Sequence, residues 1–162
     1  MDHQLLAILT SSNFLITYIT QIFRIRYTET DQMGFAHHSN YLNYFEMARI
    51  EWLNSIGFSY ASLEKQGIVM PVVSTCINFK SPAYFDDSLK IKLIILEIPR
   101  ATIKIDYIVL RGIDKVIANG STTLAFLNTQ TNKAVRCPQT LLDIIESLYI
   151  VMSLSSLIFE EL

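Results

Sequence analysis

The segment from Asn40 to Gly57 carries apolar residues on nearly every side of a helical wheel. Tyr41, Phe45, Ala48 and Trp52 form one row, Tyr44, Met47 and Ile50 a second, and Leu42, Leu53 and Ile56 a third. Such spacing signals a helix, and a helix apolar all round has to be buried. Ser39 or Asn40 is suited to cap its start, and Gly57 stands where a left-handed residue ends a helix. Charge is confined to Glu46, Arg49 and Glu51, with Glu46 and Arg49 neighbours at i, i+3. Something must therefore wrap around this helix from more than one side.

The rest of the chain supplies strands. Residues 21–27 alternate, with Phe23, Ile25 and Tyr27 on one face and Arg24 and Arg26 on the other. A second strand is expected over Val72 to Phe79 and a third from Ser88, where Leu89, Ile91, Leu93 and Ile95 alternate with Lys90 and Lys92. Ile103, Ile105, Tyr107 and Val109 mark the fourth, and 116–127 the last long one, after a hairpin turn at Arg111-Gly112-Ile113-Asp114. Pro138 is placed to open a closing helix with Leu141, Leu142, Ile145 and Leu148 on its buried side. Successive strands with short links imply an antiparallel sheet. The fold class is α+β, a curved antiparallel sheet wrapped around a long central helix.

One domain is expected over residues 21–147, with an apolar extension at 1–20 and an apolar tail at 148–162 that either continues the last helix or covers a neighbouring surface. The run at 1–20 is interrupted by Thr10-Ser11-Ser12-Asn13 and has no Lys or Arg, so it reads neither as a membrane span nor as a secretory leader. It is expected to pack on the domain or on a partner subunit, unless translation starts further downstream. With 13 basic and 15 acidic residues the net charge is −2, and no basic stripe points to nucleic acid. Cys76 and Cys137 have no second Cys nearby, which suits free thiols in a reducing cytoplasm.

The chemistry concentrates in the linker before the long helix, Thr28-Glu29-Thr30-Asp31-Gln32-Met33-Gly34-Phe35-Ala36-His37-His38-Ser39. A carboxylate held beside a helix N-terminus faces unpaired N–H groups at the positive end of the helix dipole, a setting for carbonyl chemistry. By spacing alone Asp31 reads equally as a turn residue bonding local amides. The adjacent His37 and His38 cannot easily both ligate one ion, and no third ligand is placed nearby, so neither metal nor cofactor is expected. No G-x-S-x-G elbow and no Gly-rich phosphate loop is present.

This linker, followed by Tyr44-Phe45-Glu46-Met47-Ala48-Arg49, resembles the hotdog-fold acyl-CoA thioesterases. It is most similar to the 4-hydroxybenzoyl-CoA thioesterase branch that includes the bacterial YbgC-like proteins, and the resemblance runs from about Arg24 to Ile145. It implies thioester hydrolysis without metal by a homodimer or homotetramer with sites at subunit interfaces. The family's catalytic carboxylate falls on Asp31 and its glycine on Gly34, and the helix-start N–H that polarises the carbonyl falls on His38. The chain departs from the pattern at Phe35-Ala36-His37, where relatives often carry Val-Val-Tyr.

Asp31 and His38 are thus the catalytic candidates, Asp31 as general base or nucleophile. Gly34, Asn40, Tyr41 and Glu46 are the substrate-binding candidates. Glu46 is also the rival base, because some hotdog enzymes draw their carboxylate from the central helix. Lys80, Arg100, Lys104 and Arg136 are the cations available to coenzyme A phosphates. Two other readings compete: a thioesterase acting on acyl carrier protein, and a non-catalytic acyl-CoA-binding module.

Overall fold

The computed structural model describes residues 16–159. The chain order is β1 (Ile16–Ile19), β2 (Phe23–Arg24), a 3-10 turn (Tyr27–Glu29), α1 (Asn40–Ser55), α2 (Tyr60–Lys65), β3 (Ile68–Val69), β4 (Val72–Phe79), β5 (Ser88–Ile95), β6 (Thr102–Arg111), β7 (Lys115–Ala125), β8 (Leu127–Asn128), β9 (Lys133–Ala134) and α3 (Gln139–Phe159). The main sheet is antiparallel with order β1-β5-β6-β7-β4, and β2 pairs with β5 beyond the end of β1. A smaller sheet joins β3, β8 and β9.

The alternation read from the sequence is the alternation of burial. Leu89, Ile91, Leu93 and Ile95 on β5 and Ile103, Ile105, Tyr107 and Val109 on β6 all face inward and are buried. Helix α1 lies on that face, burying Tyr41, Tyr44, Phe45, Ala48, Trp52 and Leu53. Phe45 stacks on Tyr107 with ring centroids 4.2 Å apart and planes 6° from parallel. Gly120, opposite Tyr107 in the register, makes room for it. A Cβ there would stand 2.9 Å from Phe45 Cε2 and 2.5 Å from the carbonyl oxygen of Cys76.

Four expectations need correction. The first strand starts inside the expected extension: Ile16–Ile19 pairs with β5, while residues 1–15 lie outside the described residues. A detour at Thr20 splits this edge in two. There Thr20 donates its N–H to Ile91 O at 3.0 Å, and its Oγ1 accepts the Ile91 N–H at 2.9 Å. Glu51 of α1 supports the detour by accepting from the Tyr18 hydroxyl at 2.9 Å and the Gln21 N–H at 2.7 Å. Second, the regular strand ends at Arg24, and Ile25 makes the last backbone bonds, to Asp86 and Asp87. The chain turns at Tyr27–Glu29, and Tyr27, expected inside, is 76% exposed. Third, the boundary at 148 falls inside α3, which runs unbroken to Phe159, so the tail continues the last helix, one of its two expected fates.

The fourth concerns α1 itself. One curved sheet covers only part of a cylinder, and in the single chain Leu42 and Ile50 remain 42% and 36% exposed. Arg49 goes the other way: its side chain is 6% exposed, its nearest acidic partner is Glu46 at 3.9 Å, and its Nε has no hydrogen-bond partner among the described residues.

Because the Gly120 position abuts backbone as well as a ring, Gly120→Ala forces the helix and β4 apart. We expect a loss of about 1–3 kcal/mol of stability. It should appear as a lower urea midpoint at unchanged slope.

Candidate active site

The linker before α1 folds as a tight loop. Thr30 and Ala36 form an antiparallel bridge. Inside it the Asp31 N–H donates to Phe35 O at 3.1 Å and the Gly34 N–H to Asp31 O at 2.9 Å. Gly34 sits at φ +83°, a left-handed conformation that glycine adopts without steric cost. The loop docks through the Ala36 N–H, which donates to Ala83 O at 2.7 Å, and through a bridge between Phe35 and Tyr84. Asp87 braces that platform by accepting the Tyr84 N–H at 2.8 Å and the Arg111 guanidinium. Burial pushes the Asp87 carboxyl up, but the Tyr84 N–H and Arg111 outweigh it and hold it below the usual range.

Asp31 takes up the turn role that the sequence allowed. Its Oδ1 accepts the Met33 N–H at 2.8 Å, the mark of a turn residue. Its Oδ2 makes no hydrogen bond among the described residues. The half-buried carboxylate lines a cleft of about 440 Å³ with Met33, Phe35, Ala36, His38, Tyr41, Phe79, Lys80, Ser81 and Pro82. Tyr41 and Phe79 meet edge to face there at 5.0 Å.

The start of α1 completes the cleft. The Asn40 N–H donates to His37 O at 3.0 Å and the Tyr41 N–H to His38 O at 3.3 Å. The Ser39 N–H bonds His37 Nδ1 at 3.3 Å, and its hydroxyl meets the same nitrogen at 2.8 Å. The His38 N–H has no acceptor among the described residues. Neither expected cap acts as one. Ser39 makes no side-chain cap bond, and the Asn40 amide donates to Glu29 O at 2.8 Å.

The sequence reading overlooked Glu29. Its side chain is only 8% exposed. Its carboxylate accepts the Arg26 N–H at 2.8 Å, Arg26 Nε at 2.9 Å and Nη2 at 2.6 Å, and the Tyr44 hydroxyl at 3.1 Å. Its carbonyl accepts the His37 N–H at 2.8 Å and the Asn40 amide. Burial pushes the Glu29 carboxyl up, but the Arg26 and Tyr44 hydrogen bonds more than offset it and the net direction is down. Burial and the neighbouring carboxylate push the Tyr44 hydroxyl up. The i, i+3 spacing of Arg26 and Glu29 was the available signal.

Of the other candidates, Gly34 shapes the loop, whereas Tyr41 and Lys80 line the cleft. Glu46 does not: it lies on the far side of α1 in a groove with Asn43, Met47, Ile50, Glu51 and Asn54. Arg100 and Arg136 share a different cleft with Cys137, a buried thiol that desolvation pushes up to about 12. Lys104 faces Asp106 across 3.9 Å. One protomer therefore brings together Asp31, His38, Tyr41 and Lys80 in the cleft, has Gly34 and Asn40 in the loop and helix start beside it, and leaves Glu46, Arg100, Lys104 and Arg136 elsewhere.

A curved antiparallel sheet closed over a central helix, with a carboxylate loop at the helix's first turn, is the hotdog arrangement. The chain belongs to the thioesterase-like superfamily, whose family model matches residues 25–145. The Staphylococcus aureus DHNA-CoA thioesterase, a crystal structure, is 32% identical with TM-score 0.76, over 86% of this chain and 93% of that one. Acyl-CoA thioesterase YbgC of Haemophilus influenzae is 32% identical over 90 residues, 55% of this chain and 66% of its own length. A protein of Aquifex aeolicus, provisionally named an esterase, is 32% identical over 123 residues, 76% of this chain and 94% of its own length.

Glu29, held low in the folded chain, binds fewer protons there than when unfolded near the ordinary carboxylate value of about 4.3. Its contribution is full above that value and is lost as pH falls through the lower folded value. Melting temperatures of wild type and Glu29→Gln should therefore differ most near neutrality and converge on acidification.

Proposed function

We infer that this chain is an acyl-CoA thioesterase in which Asp31 and the His38 N–H carry the chemistry. The supporting observation is that a carboxylate oxygen and a helix-start N–H, both unengaged among the described residues, belong to residues lining one cleft. The thioester oxygen accepts the His38 N–H, where the helix dipole favours developing negative charge; one such donor is worth about 3–4 kcal/mol. Asp31 either takes a proton from the attacking water or adds to the carbonyl carbon, giving an anhydride that water then opens. Both routes consume one water and release the acid and the coenzyme A thiol. The exposed His38 side chain is available to orient water or to protonate the leaving thiolate.

Phe35, Tyr41 and Phe79 offer apolar walls to the acyl group, and Lys80 offers a charge to a coenzyme A phosphate. The names carried by the S. aureus and H. influenzae relatives support an acyl-CoA substrate over a carrier protein. The two cysteines are free, as a reducing cytoplasm would keep them, and among the described residues no helix is long and apolar enough to cross a membrane.

The working unit in this reading is a homodimer or homotetramer. Supporting it are the apolar stripe of α1 and the edge of β4 that stay uncovered among the described residues, where Val72, Val73 and Phe79 are about half exposed. A long unpaired apolar edge invites another chain. Light scattering should give two or four times the 18.5 kDa chain mass, and a monomer at catalytic concentrations would defeat this part.

Asp31→Asn should lower kcat by about 10²–10⁴ with the melting temperature and mass unchanged. A thiol-release assay over aromatic, short and long acyl-CoAs checks this. Wild-type turnover in the variant refutes the assignment, and faster release from acyl carrier protein than from coenzyme A refutes the substrate.

A further inference from the structure

The two groups that would act on the thioester sit on one loop, and both ends of that loop are gripped by a single residue. Glu29 precedes Asp31 by one intervening residue, and its carbonyl holds the His37 N–H and the Asn40 amide on either side of His38. Any shift of residue 29 is felt at both places. Its buried carboxylate is in turn tied to α1, one turn from its start, through the Tyr44 hydroxyl and to the incoming chain through Arg26. Burying a carboxylate is costly unless every lone pair is used. Here four donor contacts converge on it.

We propose that Glu29 is a positioning residue for thioester hydrolysis: locked between Arg26 and Tyr44, it fixes the spacing between the Asp31 carboxylate and the His38 N–H. This rests on the assignment of those two groups. Arg26 is 78% exposed at its side chain, so it compensates the charge, while Tyr44, buried on α1, supplies the fixed reference. Glu29→Gln keeps the shape but replaces one acceptor oxygen with a donor, and Tyr44→Phe removes only the hydroxyl. Either change leaves the loop attached but free to settle at a different distance from the helix. Small misplacements of reacting groups fall on kcat more than on substrate affinity.

The test uses the full chain and whichever of benzoyl-, butyryl- or palmitoyl-CoA the wild type hydrolyses fastest. Glu29→Gln, Tyr44→Phe and the double variant are compared with Asp31→Asn for kcat, KM, melting temperature and mass. Each single variant should lose about 10- to 100-fold in kcat with KM within about twofold. The double variant should be no slower than the worse single one, because both break the same link. A wild-type kcat in either single variant overturns the proposal, even with a lowered melting temperature, and so does a double variant whose losses multiply. If Glu29→Gln does not fold, Tyr44→Phe decides alone by the same criterion. An inactive Asp31→Asn beside a fully active Glu29→Gln removes the positioning role only, whereas an active Asp31→Asn removes both readings.

Discussion

Phe45 lies flat on Tyr107 because Gly120 presents no side chain to hold the helix off the sheet. That contact sets the depth at which α1 sits, and the rest of the molecule follows from it. Tyr41, one turn earlier, and Trp52, two turns later, are brought to the same face and buried. The first turn of α1 then emerges beside the end of β4, where Tyr41 meets Phe79 and the linker has to arrive. Close packing of aromatic rings against β-backbone leaves little tolerance, since protein interiors are as dense as organic crystals.

A loop delivered to that point faces opposing demands. It must be rigid enough to aim a carboxylate, and it must leave part of that carboxylate and one amide unengaged. The chain meets the first by closing Thr30 onto Ala36, by a left-handed Gly34, and by the Glu29 carboxylate with its Arg26 and Tyr44 donors. It meets the second within Asp31 itself, where Oδ1 holds the turn and Oδ2 stays free among the described residues. In the function we propose, turn former and reactive group are one residue, so the two sequence readings of Asp31 do not exclude each other.

The opposite flank of α1 carries the remaining apolar surface. Among the described residues Leu42 and Ile50 are uncovered, β4 has an unpaired edge, and Arg49 is buried with its Nε unmatched. A second copy placed there, as we propose for the working unit, would give the apolar surplus of the sequence a physical role. It would also bring the groove holding Glu46 to an interface, away from the cleft of its own protomer.

The amino-acid order by itself determined the parts whose signal is local and periodic. Residues 89–95 and 103–109 alternate because a strand shows its two faces to different surroundings. Helix α1 and its stop at Gly57, φ +74°, were legible for the same reason, as was the loop around Asp31 and Gly34. Only the tertiary structure decided that Glu29 and Arg49 go inside while Tyr27 stays out, because a charged residue's burial depends on donors from distant segments, as Tyr44 is to Glu29. It also decided that Lys80 shares the Asp31 cleft while Arg100 and Arg136 share another. Periodicity records which way a side chain points from its own backbone; which cations meet which carboxylate is fixed by how the sheet curves, and that is a property of all its strands together.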